Sequence, residues 1–186
     1  MIVAIAGGTG SGKTTLSYAM KKIYTLRFNA NVEIVSMDNY YKNENIEKFD
    51  NYDHPKAFNM TLLYNDLKEF LSTGNMQVRS YDYVTKESTI IRTQSNVKIL
   101  ILEGLYPYYE KKIRDICSIK LYLDIDEDTR IKRRLLRDLQ ERNISIEKNT
   151  QMIDSFVKEM HKKYVSKQKK KADKLFKSSE NILEYL

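Results

Sequence analysis

The chain has 186 residues, of which 41% are hydrophobic and 31% charged, with a formal net charge of +7. That length suits one α/β-sized domain, and no stretch is apolar for long enough to cross a bilayer. A short N-terminal apolar run without a cleavage signal, two histidines and one cysteine lead to the expectation of a cytoplasmic chain with no intramolecular disulfide, no zinc site and a buried structural Cys117.

In chain order, Ile2–Ala6 predicts a central strand, because it is β-branched and apolar without alternation. The run Gly7-Gly8-Thr9-Gly10-Ser11-Gly12-Lys13-Thr14-Thr15 follows and matches G-x-x-x-x-G-K-[ST] in full. Leu16, Met20 and Ile23 then recur at helical spacing, which places the motif between a strand and a helix. Each residue type has a task. The glycines let backbone N–H groups crowd a phosphate without a Cβ clash. The helix N-terminus adds partial positive charge. Lys13 can reach the β- and γ-phosphates, and the Thr14 hydroxyl can bind Mg²⁺. A nucleoside triphosphate with Mg²⁺ is the first expectation.

Val32–Met37 predicts a second strand, followed by a polar, aromatic loop through Pro55. Asn59 predicts the cap of a helix with a stripe of Leu62, Leu63, Leu67, Phe70 and Leu71, closed by Gly74. Gln77–Arg92 reads as a β-hairpin outside the main sheet. Val97–Leu102 and Ser118–Asp126 predict two more strands, the first ending in Glu103-Gly104. Strands alternating with helices imply an α/β fold with a parallel central sheet flanked by helices and right-handed crossovers. Asp128–Arg142 predicts a helix with Ile131, Leu135, Leu136 and Leu139 on one side and Arg130, Arg133, Arg134 and Arg137 on the other. Such an arginine face suits a lid over phosphates. A last helix, about 146–172, is rich in lysine toward its end.

Sites in parallel sheets lie at the C-terminal ends of strands. Asp38 there is a candidate base for a hydroxyl proton, and Glu103 a candidate to hold Mg²⁺ or its waters. Asp124 and Asp126 read as surface or capping carboxylates. Tyr52, Tyr81 and Tyr83, with Asp53 and His54 nearby, suit a nucleoside: aromatic faces for the base and a carboxylate for the ribose.

These segments together, GGTGSGKTT, MDNYYK, NYDHPKAFN, SYDY, ILEGLY, KLYLDIDEDTRIKRRLLRDLQER and MHKKYV, resemble the uridine kinase (uridine–cytidine kinase) family, related to phosphoribulokinase. The resemblance implies a Rossmann-like P-loop kinase fold as a single domain over residues 1–186, with an acceptor-site insertion at about 39–95 that contains the hairpin, and a lid at about 127–150. It implies phosphorylation of uridine, and of cytidine, at the 5′-hydroxyl by ATP or GTP with Mg²⁺, in pyrimidine salvage. It implies small-molecule partners, no membrane or nucleic-acid partner, and a homotetramer. By matching position, Asp38 resembles the activating base and Tyr41 an acceptor-site tyrosine. Asp53 resembles the ribose ligand, beside Tyr52 and His54. Tyr81 and Tyr83 resemble pocket aromatics, and Arg133, Arg137 and Arg142 lid arginines.

The chain departs from that pattern in three places. Lys86 stands where the family has a histidine at the nucleobase edge. A lysine donates but cannot accept, so cytidine should be used less well than uridine, or the acceptor changed. Ile144 stands where the family has a second arginine after the lid. Lys167 and Lys171 replace a proline and a tyrosine of the late motif. Two further readings remain: a kinase of the same superfamily with another small acceptor, and a nucleotide-binding regulator with little turnover that uses the late basic run.

Overall fold

The computed structural model describes residues 1–42 and 51–177. Residues 43–50 of the expected acceptor loop, and 178–186 of the expected single domain, lie outside the described residues.

The parallel sheet contains β1 (Ile2–Gly7) and β2 (Val32–Ser36), and a hairpin of β3 (Met76–Asp82) and β4 (Glu87–Gln94) stands apart from it. Three later strands complete the sheet: β5 (Ile99–Gly104), β6 (Ile119–Leu123) and β7 (Lys174–Phe176). The order is β2-β5-β1-β6-β7, with all four neighbouring pairs parallel. β1 and β5 are buried along their whole length, as the apolar runs Ile2–Ala6 and Ile99–Leu102 require, and Glu103 is buried with them. Their side chains alternate between two cores. Ile2, Ala4 and Ala6 join Leu100 and Leu102 on one face, and Val3 and Ile5 join Ile101 and Leu121 on the other.

The helices are α1 (Lys13–Phe28), α2 (Met60–Thr73), the short α3 (Lys111–Arg114), α4 (Glu127–Glu141) and α5 (Ile146–Met152). Leu16 and Met20 of α1 pack on the second core, and Leu63, Leu67 and Phe70 of α2 on the first. Leu71, expected in the α2 stripe, is exposed, because the stripe is narrower than the run of leucines suggests. The Asn59 side chain accepts from the Leu62 N–H at 3.0 Å, and Gly74 closes α2 in the left-handed region at φ 74°. The backbone continues helically beyond α5 through two π-helical segments, Ile153–Val157 and His161–Val165, and ends in a tighter turn, Ser166–Lys171. The expected last helix is thus present. The strand after it, β7, was not expected, since three residues in a lysine-rich stretch show no pattern. Its place comes from pairing: Asp173 N–H donates to the Lys120 carbonyl and Asp124 N–H to the Phe176 carbonyl, both at 2.8 Å.

Strand boundaries shift: the strand expected at 32–37 ends at Ser36, with Met37 in the turn that follows. The strand expected at 97–102 runs over Ile99–Gly104, which takes Glu103 into the sheet, and the one expected at 118–126 contracts to Ile119–Leu123. The hairpin is clamped to the body from two sides. Arg79 pairs with the buried Asp66 of α2 at 2.6 Å, and Arg92 with the buried Glu33 of β2 at 3.0 Å. Ser88 also donates to the Asn39 carbonyl at 2.6 Å, so the aromatic end of the hairpin faces the turn after β2.

Candidate active site

The chain leaves β1 toward β2 and leaves β5 toward β6, so a crevice opens at their C-terminal ends. The glycine-rich turn occupies this place. Gly10 and Gly12 have φ of 71° and 90°, a conformation that costs other residues dearly. A Cβ on Gly10 would lie 2.1 Å from the Arg130 carbonyl oxygen, and one on Gly8 would lie 2.5 Å from the Arg130 guanidinium and 2.9 Å from His161 Nδ1. The glycines therefore also let the first turn of α4 and the late helix close on the loop. No side chain caps α1 and no acid lies in its first turn, which leaves its N–H groups and positive end suited to an anion.

Lys13 is buried and donates to the Gly8 carbonyl at 2.9 Å. Burial lowers its pKa, opposed by the carboxylates of Glu103 and Asp38. Glu103, at the end of β5, is also buried. Burial raises its pKa, opposed first by Lys13. The Thr14 hydroxyl stands 3.5 Å from Glu103 Oε1. Oxygen donors of this kind suit a hard cation such as Mg²⁺. Among the described residues no group of three or more His, Cys, Asp or Glu forms a metal cage. A cation held by Thr14 and Glu103 would therefore complete its shell with phosphate oxygens and water.

Asp38 lies in a short turn, Met37–Tyr40, that starts where Ser36 accepts from the Asp38 N–H at 3.4 Å. Tyr41 donates to Asp38 Oδ1 at 3.5 Å. The Tyr41 ring stacks on Phe58 at 4.5 Å and meets Tyr52 and Tyr81 edge-on at 5.1 and 5.3 Å. Burial pushes its hydroxyl pKa well up, so it stays a donor. Asp53 is buried, and burial raises its pKa against the pull of Arg134, 3.5 Å away. Tyr106 donates to the Asp53 carbonyl and so anchors this segment from the loop after β5.

These groups line one cavity of about 670 Å³. Lys13, Thr14 and Glu103 lie on its wall with Asp38, Tyr41, Tyr52, Asp53 and Tyr83, as do Arg137 and Arg142. Of the loop residues only Thr9, Lys13 and Thr14 line it, and Thr15 is exposed on the first turn of α1.

Four expected site residues are placed elsewhere. His54 accepts from the Lys56 N–H at 3.0 Å and packs edge-on against Tyr164, so its imidazole starts a turn instead of facing the cavity. Tyr81 is buried beneath Tyr41 and Tyr83. Lys86 takes a left-handed backbone at φ 57° in the hairpin turn, which Asp82 organises by accepting from Val84 and Thr85 N–H groups. It does not line the cavity. Arg133 is exposed and also off the wall, and a Cβ on Gly12 would lie 4.0 Å from its guanidinium. It borders the glycine loop rather than the acceptor pocket.

Much of the arginine-bearing face of α4, though not Arg133, turns inward. Arg130, Arg134 and Asp138 are buried, while Leu136 and Leu139 are 60% and 43% exposed. Asp126 caps the helix by accepting from Thr129 N–H at 2.8 Å, and Asp124 pairs with Lys169 at 2.5 Å. Both carboxylates are thus structural, as expected. Asp138, Glu141 and Met152 line the cavity without having been expected there, and Ile144 lines it as an apolar patch. Asp138 had a signal: it lies four residues from Arg134 and from Arg142, the spacing of helical ion pairs.

A model of the phosphoribulokinase / uridine kinase family matches residues 2–183. The chain is 38% identical to a uridine kinase of Lactobacillus johnsonii over 93% of its length and 84% of that protein's. It is 36% identical to a uridine kinase of Chlamydia pneumoniae over 93% of this chain and 79% of the relative. Its fold is similar to that of a phosphoribulokinase from Rhodobacter spheroides, with TM-score 0.69 at 16% identity, covering 94% of this chain and 69% of that one. A D-glycerate 3-kinase from Cryptococcus neoformans gives TM-score 0.61 at 13% identity, covering 86% and 76%.

Proposed function

We infer the reaction from one premise: the chain belongs to the phosphoribulokinase/uridine kinase family. It is a phosphotransferase acting on a hydroxyl acceptor, and the acceptor is uridine. The γ-phosphate of ATP passes to the uridine 5′-hydroxyl, giving UMP and ADP. The observation that supports this best is the shared cavity. The phosphate-binding loop and the aromatic pocket with Asp53 open into one space, and the charge of Asp38 acts on both Lys13 and Asp53.

Asp38 takes the hydroxyl proton as the oxygen attacks phosphorus. Phosphoryl transfer is governed by positioning and charge neutralisation. Lys13, Arg137 and the α1 N-terminus provide cationic surface, and Arg133 adds to it beside the glycine loop. Thr14 and Glu103 would hold Mg²⁺, which would supply neutralisation of phosphate charge. Asp53 holds the ribose hydroxyls, steadied by Arg134, and Tyr41, Tyr52 and Tyr83 hold the nucleoside. Arg142 contacts the bound substrate from the end of α4. Cytidine as a second acceptor, GTP as a second donor, a place in pyrimidine salvage in the cytoplasm and a homotetramer belong to the same reading.

The test is ADP release with MgATP against uridine, cytidine, deoxyribonucleosides, purine nucleosides, ribulose 5-phosphate and pantothenate. Uridine should turn over fastest. Turnover confined to a different acceptor would overturn the assignment of substrate. ATP binding without turnover on any of them would favour a regulator.

A further inference from the structure

The cationic wall of the cavity converges on one carboxylate. Asp138 is 1% exposed. Its Oδ1 accepts from Arg137 Nε at 2.9 Å and from a second Arg137 nitrogen at 2.7 Å, and lies 3.5 Å from Arg142. Its Oδ2 accepts from Asn149 Nδ2 at 3.0 Å and lies 3.4 Å from Arg134 Nε. Asn149, fully buried on α5, accepts in turn from Arg134 Nε at 3.1 Å. Arg134 then reaches Asp53.

Three guanidiniums would repel one another in a partly dry cavity, and each has long rotatable bonds. A single buried anion that accepts from the planar fork of Arg137 fixes both its position and its orientation. The same anion reaches Arg134 directly and through Asn149. Arg137 lines the cavity together with Lys13 and Thr14, so this wall borders the phosphate end. Asp53 belongs to the acceptor end. The network therefore joins the two ends.

We propose that Asp138 is a positioning residue for phosphoryl transfer, setting Arg137 toward the transferring phosphate and, through Asn149, Arg134 toward Asp53. The inference rests on the kinase reading above. A buried ion-pair cluster that only staples α4 to α5 would have no such effect on turnover.

The experiment compares Asp138→Asn, Arg137→Ala and the double variant in steady-state turnover of uridine, alongside thermal unfolding. Asp138→Asn keeps the shape and removes the charge. Its kcat should fall by about 10²-fold, the order expected for a displaced reacting group, with the KM for ATP changed much less. Added to Arg137→Ala, it should cost little more, because both remove the same contact. A kcat within about twofold of wild type, or penalties that simply multiply in the double variant, would overturn the proposal. Should Asp138→Asn fail to fold, Asn149→Ser removes the amide bridge between Asp138 and Arg134 and leaves their direct ion pair in place. It should raise the KM for uridine and leave kcat nearly unchanged, and an unchanged KM would overturn the role of that bridge. Wild-type protein inactive on uridine would instead remove the kinase reading itself.

Discussion

Asp38 and Lys86 differ in what surrounds them, and this separates their expected roles. Asp38 lies on the cavity wall with Tyr41 donating to it and Lys13 within reach of its charge. Asp38→Asn keeps the size and loses the base. It should retain ATP binding and lose about 10²–10⁴-fold in kcat, the range for a general base. Unchanged kcat would take Asp38 out of that role. Lys86 lies in the hairpin turn and off the wall. Lys86→His should therefore shift the uridine-to-cytidine ratio by less than about twofold, well under the discrimination of one lost hydrogen bond to a base. A strong rise in cytidine use would show that the turn folds over the base.

At the scale of elements, capping and ion pairing decide more than propensity does. The Asn59 cap satisfies one donor at the start of α2, whose Leu63, Leu67 and Phe70 fill the core under the sheet. Asn59→Ala should cost about 1 kcal/mol in urea unfolding, without changing nucleotide binding. No loss would mean that another group takes over the Leu62 N–H. The α4 helix obeys a different rule. It turns charges inward because partners wait there: Asp53 for Arg134, Asn149 for Arg134 and Asp138, and the Ile125 carbonyl for Arg130. Buried charge is tolerable only when paired this fully. Leu136 and Leu139 face outward as the consequence.

For the whole molecule, Cys117 reports on global folding. Its Sγ donates to the Ile113 carbonyl at 3.2 Å, it is 7% exposed, and burial pushes its pKa up to about 12. A native thiol held protonated binds its proton more tightly than the unfolded one does. Its contribution to stability is therefore present below the ordinary thiol pKa and is lost as pH rises from about 9 toward about 12. Reagent labelling at pH 8 should be slow and should follow unfolding measured by circular dichroism. Fast labelling without unfolding would show that the segment around α3 opens on its own.

The loop chemistry, the central strands, the capped α2 and the separate hairpin were all legible along the chain. Each of these is written locally: a glycine spacing, an apolar run, an asparagine before a helix. Folding, and nothing local, pairs β7 with β6, sets Lys86 and His54 off the cavity, and brings Arg134 rather than Arg133 to Asp53. The reason is distance along the chain. Arg134 meets a carboxylate 81 residues away and an amide 15 residues away. No helical period of α4 records what stands opposite it. The burial of Asp138 among three arginines follows from that meeting, though its four-residue spacing to two of them was already in the sequence.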